Sequence, residues 1–312
     1  MTQGSTTTDG DLHFESPEEV RAALSDFGYL SDDDVSSMVF LASTLQKPMF
    51  LEGEPGCGKT FLAQALADAT GRELIRVQCY TGIDANAALY EWDFSAQVLH
   101  LRTLQQRDNG DYSSDADQSI YSRRFLESRP LLRSLENPKS VLLIDEIDRA
   151  EESFEAVLLQ YLSDFAITVP HLGQIRPPRG AGRPLVVLTS NRTRDVHDAL
   201  KRRCLYHYFR HPDRARTLRI ITDRFVGLDR SRALAIVDYV EQVRNTDMVR
   251  PPGLSEVLDF TQALLIMDAK IDVRSHFRSL AALLVKDPSD EDVLHSVAVP
   301  AGLLAERVGA DD

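Results

Sequence analysis

The segment Gly53-Glu54-Pro55-Gly56-Cys57-Gly58-Lys59-Thr60 has the spacing G-x-x-x-x-G-K-[ST]. Such a loop does phosphate chemistry when a strand feeds it and a helix leaves it. Here the apolar run Met49-Phe50-Leu51 precedes it, and Phe61-Leu62-Ala63-Gln64-Ala65-Leu66-Ala67, of helical composition, follows. The glycines let the backbone curl, so that successive N–H groups and the helix N-terminus point at an anion. Lys59 can then reach the β- and γ-phosphates, and the Thr60 hydroxyl can ligate Mg²⁺. The candidate phosphate-binding set is Gly53, Glu54, Pro55, Gly56, Cys57, Gly58, Lys59, Thr60 and Phe61. A Gly-rich turn before an ordinary helix is the bland alternative. The flanking context favours nucleotide binding.

Three more stretches carry chemistry. Val141-Leu142-Leu143-Ile144-Asp145-Glu146 is an apolar run ending in two acids, as expected of a parallel strand buried on both faces. Acids at its C-terminal end lie where α/β sheets bind ligands. Asp145 is placed to hold Mg²⁺ through water, and Glu146 to orient or deprotonate the attacking water. Pro184-Leu185-Val186-Val187-Leu188-Thr189-Ser190-Asn191 repeats the pattern. Asn191 can hydrogen-bond both γ-phosphate and water, or simply favour a turn. In Asp198-Ala199-Leu200-Lys201-Arg202-Arg203-Cys204, paired arginines stand early in a helix-like stretch. They read either as a solvated basic face or as a cation offered to a neighbouring subunit's γ-phosphate.

The order of these elements resembles AAA+ ATPases, within them the MoxR branch, and more narrowly the CoxD-type members associated with carbon monoxide dehydrogenase maturation. The resemblance rests on Leu142 to Ala150, Leu159 to Phe165, Thr189 to Arg194, Val196 to His207 and Ala88-Leu89-Tyr90-Glu91-Trp92. It implies Walker A roles for Lys59 and Thr60, and Walker B roles for Asp145 and Glu146. It also implies sensor 1 for Asn191 and the arginine finger for Arg203, with Arg202 beside it. In one place the chain departs from the pattern. Where many relatives carry a sensor 2 arginine, Arg250-Pro251-Pro252-Gly253-Leu254-Ser255-Glu256 has Ser255 or Glu256. Arg250 is the candidate replacement. The resemblance also assigns the Trp92 neighbourhood to an insert in helix 2 facing a pore, the alternative being that Tyr90, Trp92 and Phe94 are packing aromatics.

The 312 residues carry a formal charge of −13, which opposes generic nucleic-acid binding. The basic strip Arg176 to Arg183 is rich in Gly and Pro and reads as a loop. No apolar stretch is long enough to span a membrane, and the first residues lack a signal-peptide pattern. Cys57, Cys79 and Cys204 show no paired or metal-ligand spacing, which fits a reducing, cytoplasmic setting. Cys57 is either an unconstrained loop residue or a thiol activated by Lys59 and the helix N-terminus.

The expected fold is α/β: a P-loop AAA+ core, its parallel sheet flanked by helices, followed by a small all-α lid. The expected divisions are a disordered tail over 1–11, a core over 12–212 and a lid over 213–312. Within the core lie an insert at about 84–118 and a β-hairpin at about 165–176. Helices are expected to open at Ser16-Pro17 and at Ser31-Asp32, and Ala87 to Leu101 reads as one amphipathic stretch. His171, at the hairpin tip, reads as a solvated turn residue rather than a metal ligand. The expected cofactors are ATP and Mg²⁺, and the expected assembly is a homo-oligomeric ring of six. The resemblance adds a von Willebrand factor A-domain adaptor, a protein client and, by analogy, cofactor completion in a molybdenum hydroxylase-type enzyme. A nucleotide-dependent assembly switch with little turnover, or a GTPase-like nucleic-acid motor, are the alternatives.

Overall fold

The computed structural model describes residues 14–83, 88–107, 120–268 and 273–303. The tail expected over 1–11 lies outside these residues, as do parts of the expected insert. Helix α1 (Pro17–Asp26) starts as anticipated, with Ser16 Oγ accepting from Glu19 N at 3.3 Å. Helix α2 (Asp33–Leu45) is capped by Asp32, which accepts from Val35 N at 2.8 Å. Ser31 instead pairs with the Ser36 hydroxyl.

Strand β1 (Met49–Gly53) leads through the glycine loop into α3 (Lys59–Thr70), and β2 (Glu73–Gln78) follows. The stretch expected to be one amphipathic element is divided. Strand β3 (Tyr90–Trp92) pairs antiparallel with β4 (Leu126–Ser128), and only then does α4 (Phe94–Arg107) begin. Aromatic residues at 90 and 92 favour the strand, and Asp93 Oδ1 caps the new helix by accepting from Ala96 N at 2.9 Å. Tyr90 and Trp92 pack against the core, whereas Phe94 is exposed.

Helix α5 (Pro130–Glu136) precedes β5 (Ser140–Asp145), and α6 (Glu152–Asp164) precedes the hairpin β6 (Ile167–Val169) and β7 (Gly173–Ile175). His171 sits in the hairpin turn, its ring stacked on Tyr121 with centroids 4.1 Å apart. Strand β8 (Leu185–Ser190), α7 (Asp198–Lys201) and β9 (Leu205–Phe209) complete a five-stranded sheet of order β2-β5-β8-β1-β9. The β2–β5, β5–β8 and β8–β1 pairings are parallel. Every residue of β1, β5 and β8 is buried, which explains their unbroken apolar runs. At the edge, β2 buries Ile75 and Val77 and exposes Arg76 and Gln78, the period-two alternation of a strand with one wet face. The α/β P-loop fold with helices flanking a parallel sheet is therefore present.

The described residues fall into two compact units. One holds those up to Glu52 with Thr60–Tyr208, and the other holds Gly53–Lys59 with those from Phe209 onward. The second is helical: α8 (Arg214–Arg224), α9 (Arg230–Arg244), α10 (Leu254–Asp268), α11 (Val273–Ala281) and α12 (Glu291–Ser296). Its core contains Ile236, Val240, Val257, Leu264 and Leu280 around Tyr239, Phe260 and Phe277, whose centroids lie 5.4–6.2 Å apart. Among the described residues no helix is long and apolar enough to cross a membrane. Phe260 is fully buried, so Phe260→Ala should destabilise the helical unit by about 3–5 kcal/mol. A urea-denaturation curve that does not move would refute that aromatic core.

Candidate active site

The phosphate loop is held from inside by its own lysine. Lys59 is buried, and its Nζ donates to the carbonyls of Gly53 and Glu54, each at 2.8 Å. A buried ammonium needs such acceptors, and the same donors are available to phosphate oxygens. Gly56 has φ +73°, and a Cβ there would lie 2.7 Å from Ser255 Oγ. A Cβ on Gly253 would lie 2.8 Å from Glu256 Oε2 and 3.0 Å from Pro55 O. The loop is thus seated on the start of α10, where Leu254 N donates to Gly56 O at 3.1 Å. Glu256, one of the two residues at the place expected for an arginine, accepts from Gly253 N at 3.0 Å and so caps its own helix. Arg250 is exposed, and its backbone N–H is tied to Asp290 at 3.0 Å. Burial raises the Cys57 thiol pKa and outweighs the opposing effect of Lys59. Cys57 is therefore not an activated thiol.

Asp145 ends the central strand as a buried carboxylate. Its Oδ1 accepts from Thr60 Oγ1 at 3.0 Å and from Thr189 Oγ1 at 2.5 Å, while Oδ2 pairs with Arg76 Nη2 at 2.5 Å. Parallel register creates this convergence, because Gln78 pairs with Asp145 and Ile144 with Leu188. Glu146 follows in a left-handed conformation, φ +57°, with its N–H donated to Thr189 Oγ1 at 3.0 Å. Such a conformation costs on the order of 1 kcal/mol in a non-glycine residue. It turns the Glu146 carboxylate toward Asn191 Nδ2 and Gln78 Nε2, each at 3.2 Å, and Arg149 Nε at 3.1 Å.

Asn191 is itself positioned by a residue the sequence reading passed over. Asp148 accepts from Asn191 N at 3.1 Å, Thr193 N at 2.9 Å and Thr193 Oγ1 at 2.6 Å. Burial pushes the Asp148 carboxyl up, but these hydrogen bonds outweigh it and hold its pKa below the usual carboxylate range. The next polar anchor is Glu155, which accepts from Arg194 Nη2 at 2.5 Å and His197 N at 2.8 Å. The arginine pair differs from expectation. Helix α7 ends at Lys201, so Arg202 is its C-cap and Arg203 lies in the following turn, neither of them early in a helix. Arg203 is tethered to Ser163 Oγ at 2.8 Å and to Ala199 O at 3.2 Å. Arg202 is exposed; its backbone N–H donates to Asp198 O at 2.9 Å, and its side chain makes no hydrogen bond or ion pair among the described residues.

In the sheet unit, the buried Asp145 carboxylate and the Thr60 hydroxyl suit a hard cation such as Mg²⁺ that also takes phosphate oxygens; the lysine-filled glycine loop, taken by itself, suits phosphates. Thr60, Asp145, Thr189, Glu146 and Asn191 come together within the sheet unit, and Gly53–Lys59 with the helical unit. Sequence alone gives Thr189, Arg76 and Gln78 only as strand residues and assigns no role to Asp148 or Glu155. Alternation in β2 places Arg76 and Gln78 on one face. Only the strand order puts that face beside Asp145.

His211, in the helical unit with the phosphate loop, has a buried Nδ1 without a hydrogen-bond partner among the described residues. Burial, then the charge of Arg244, lower its pKa from the usual 6.5; Glu54 and Glu256 oppose them, and Lys59 adds a smaller lowering. As pH falls through 6.5 the unfolded chain takes up this proton before the folded one, so stability should decline with acidification. Urea midpoints between about pH 7.5 and 5.5 should fall in the wild type and fall less in His211→Gln. Parallel pH profiles would exclude His211 as the source.

Residues 48–204 match the AAA domain family, dynein-related subfamily. Among solved structures, the chain resembles a protein from Cytophaga hutchinsonii named "putative ATPase". The two are 13% identical, with 85% of this chain and 71% of that one covered at a TM-score of 0.45. No curated protein matches the chain. With the family model covering half its length and the glycine loop and acidic strand end where that fold requires them, the chain belongs to the dynein-related subfamily of AAA-domain proteins.

Proposed function

We propose that the protein is an ATP-hydrolysing AAA+ ATPase of the MoxR type, acting as a ring to remodel or mature a client protein complex. The convergence of Thr60, Asp145, Glu146 and Asn191 at the carboxyl ends of neighbouring strands is the observation that carries this reading. Lys59 would exchange its two carbonyl acceptors for β- and γ-phosphate oxygens. Held by Thr60 and Asp145, Mg²⁺ would neutralise charge on those oxygens. Glu146, steered by the Asn191 amide, would orient the attacking water and accept its proton. Arg202, exposed and unpaired among the described residues, is better placed than the tethered Arg203 to reach a neighbouring subunit's nucleotide.

The chain would then work as a core over 12–212 and a helical lid over 213–312, in a ring of six in the cytoplasm, with a von Willebrand factor A-domain adaptor. Resemblance to CoxD-type proteins suggests a client of the molybdenum hydroxylase or carbon monoxide dehydrogenase kind, and that step rests on analogy. A second reading, an assembly switch with slow turnover, draws support from Glu256. A helix-capping carboxylate offers no positive charge to a γ-phosphate.

Mg²⁺-dependent ATPase rate per subunit should climb with protein concentration and fall when wild type is mixed with Arg202→Ala. Mixing with Arg203→Ala should lower it less. Turnover that ignores both concentration and mixing would defeat the shared-site mechanism. Glu146→Gln should keep nucleotide affinity and lose about 10²–10⁴-fold in kcat. Wild-type turnover in that variant would remove Glu146 from the chemistry, and barely measurable turnover in the wild type itself would favour the switch.

A further inference from the structure

The side chain of Asp145 is 4% exposed, and that of its ionic partner Arg76 is 51% exposed. The two differ sharply in freedom. Asp145 is fixed by the central strand and by the Thr60 and Thr189 hydroxyls. Arg76 projects from β2, the edge strand, along its wet face. Its other hydrogen bond, to Gln78 Oε1 at 2.5 Å, is to a residue on that same face. Among the described residues Arg76 is the ion-pair partner of Asp145. A buried carboxylate without a counter-charge carries a large desolvation penalty. Arg76 relieves that penalty by approaching from the solvent side, on the oxygen that the two threonines leave free.

We propose that Arg76 is a placeholder cation: it balances Asp145 while the site lacks metal, and a divalent ion must displace it to bind. This rests on Asp145 being the metal-binding carboxylate. The guanidinium and the ion compete for Oδ2, so Arg76 weakens metal binding and sets the concentration at which the site fills. Displacement is cheap because Arg76 is long, half exposed and on a sheet edge, so its charge moves into water rather than into the protein. Arg76 thus acts through Asp145 and not on the nucleotide itself.

The test is Mn²⁺ titration of the full chain by electron paramagnetic resonance, without nucleotide and with ADP. Arg76→Met should lower the Mn²⁺ Kd about tenfold without nucleotide, the scale of a charge-assisted hydrogen bond at a partly buried site. Arg76→Lys should stay near wild type. So should Arg133→Met, which removes an equal charge paired with Glu73 at the far end of β2. Misfolding would weaken binding, the opposite sign, and Arg76→Gln is a second neutral variant if the methionine form is unstable. Unchanged or weaker Mn²⁺ binding in both neutral variants overturns the proposal. Asp145→Asn separates the two levels. If it leaves Mn²⁺ binding with ADP intact, the assignment of Asp145 fails. If it abolishes that binding while Arg76→Met changes nothing, the placeholder alone fails.

Discussion

A carboxylate at the end of a fully buried strand is the constraint around which the sheet unit is built. Asp145 cannot be hydrated by bulk water, so its oxygens must find protein donors. They do so on three other elements: Thr60 on α3, Thr189 on β8 and Arg76 on β2. Those elements meet only because β5 lies between β2 and β8, both parallel to it and in a fixed register. A one-residue slip would turn Asp145 to the other face of the sheet and bury a charge with no partner. The site is therefore also a registry device.

Beyond the sheet, buried acids do the work of regular structure. Asp148 and Glu155 collect backbone and side-chain donors from the segment 191–197. That segment includes Arg192, in a left-handed conformation with φ +59°. Glu146 shares this conformation. Both left-handed residues lie beside the Glu146–Asn191 contact, and hydrogen bonds to Thr189 and Ser190 hold them in place. The strain keeps the Glu146 carboxylate and the Asn191 amide facing one another, an arrangement that unconstrained loops would lose.

The phosphate loop follows a different logic. Its glycines are usually explained by the approach of a nucleotide. Here Gly56 is also favoured by the protein itself, because its φ is +73° and a Cβ would lie 2.7 Å from Ser255 Oγ and 3.3 Å from Glu256 Oε2. Loop and helix start therefore constrain one another before any ligand arrives. Glu256 caps its own helix in that seat by accepting from Gly253 N.

The sequence by itself determined which strands are central, since runs such as Val141 to Ile144 leave no polar face. It also marked a candidate phosphate loop, because a glycine loop between strand and helix aims many N–H groups at one point. Lys59, Thr60, Asp145 and Glu146 were legible as candidate site residues for the same reason: each stands within or at the end of a single local element. Only the tertiary structure decided what faces those residues. The Arg76–Asp145 pair joins residues 69 apart, and nothing local in β2 shows that β5 is its neighbour. The tethering of Arg203 by Ser163 spans 40 residues, and it distinguishes two arginines that composition treats as equal. The division of Ala87 to Leu101 at Asp93 was likewise invisible, because β3 is a strand only when β4 pairs with it. Spacing encodes chemistry within a single element, and the contacts that balance charge between elements depend on strand order and register.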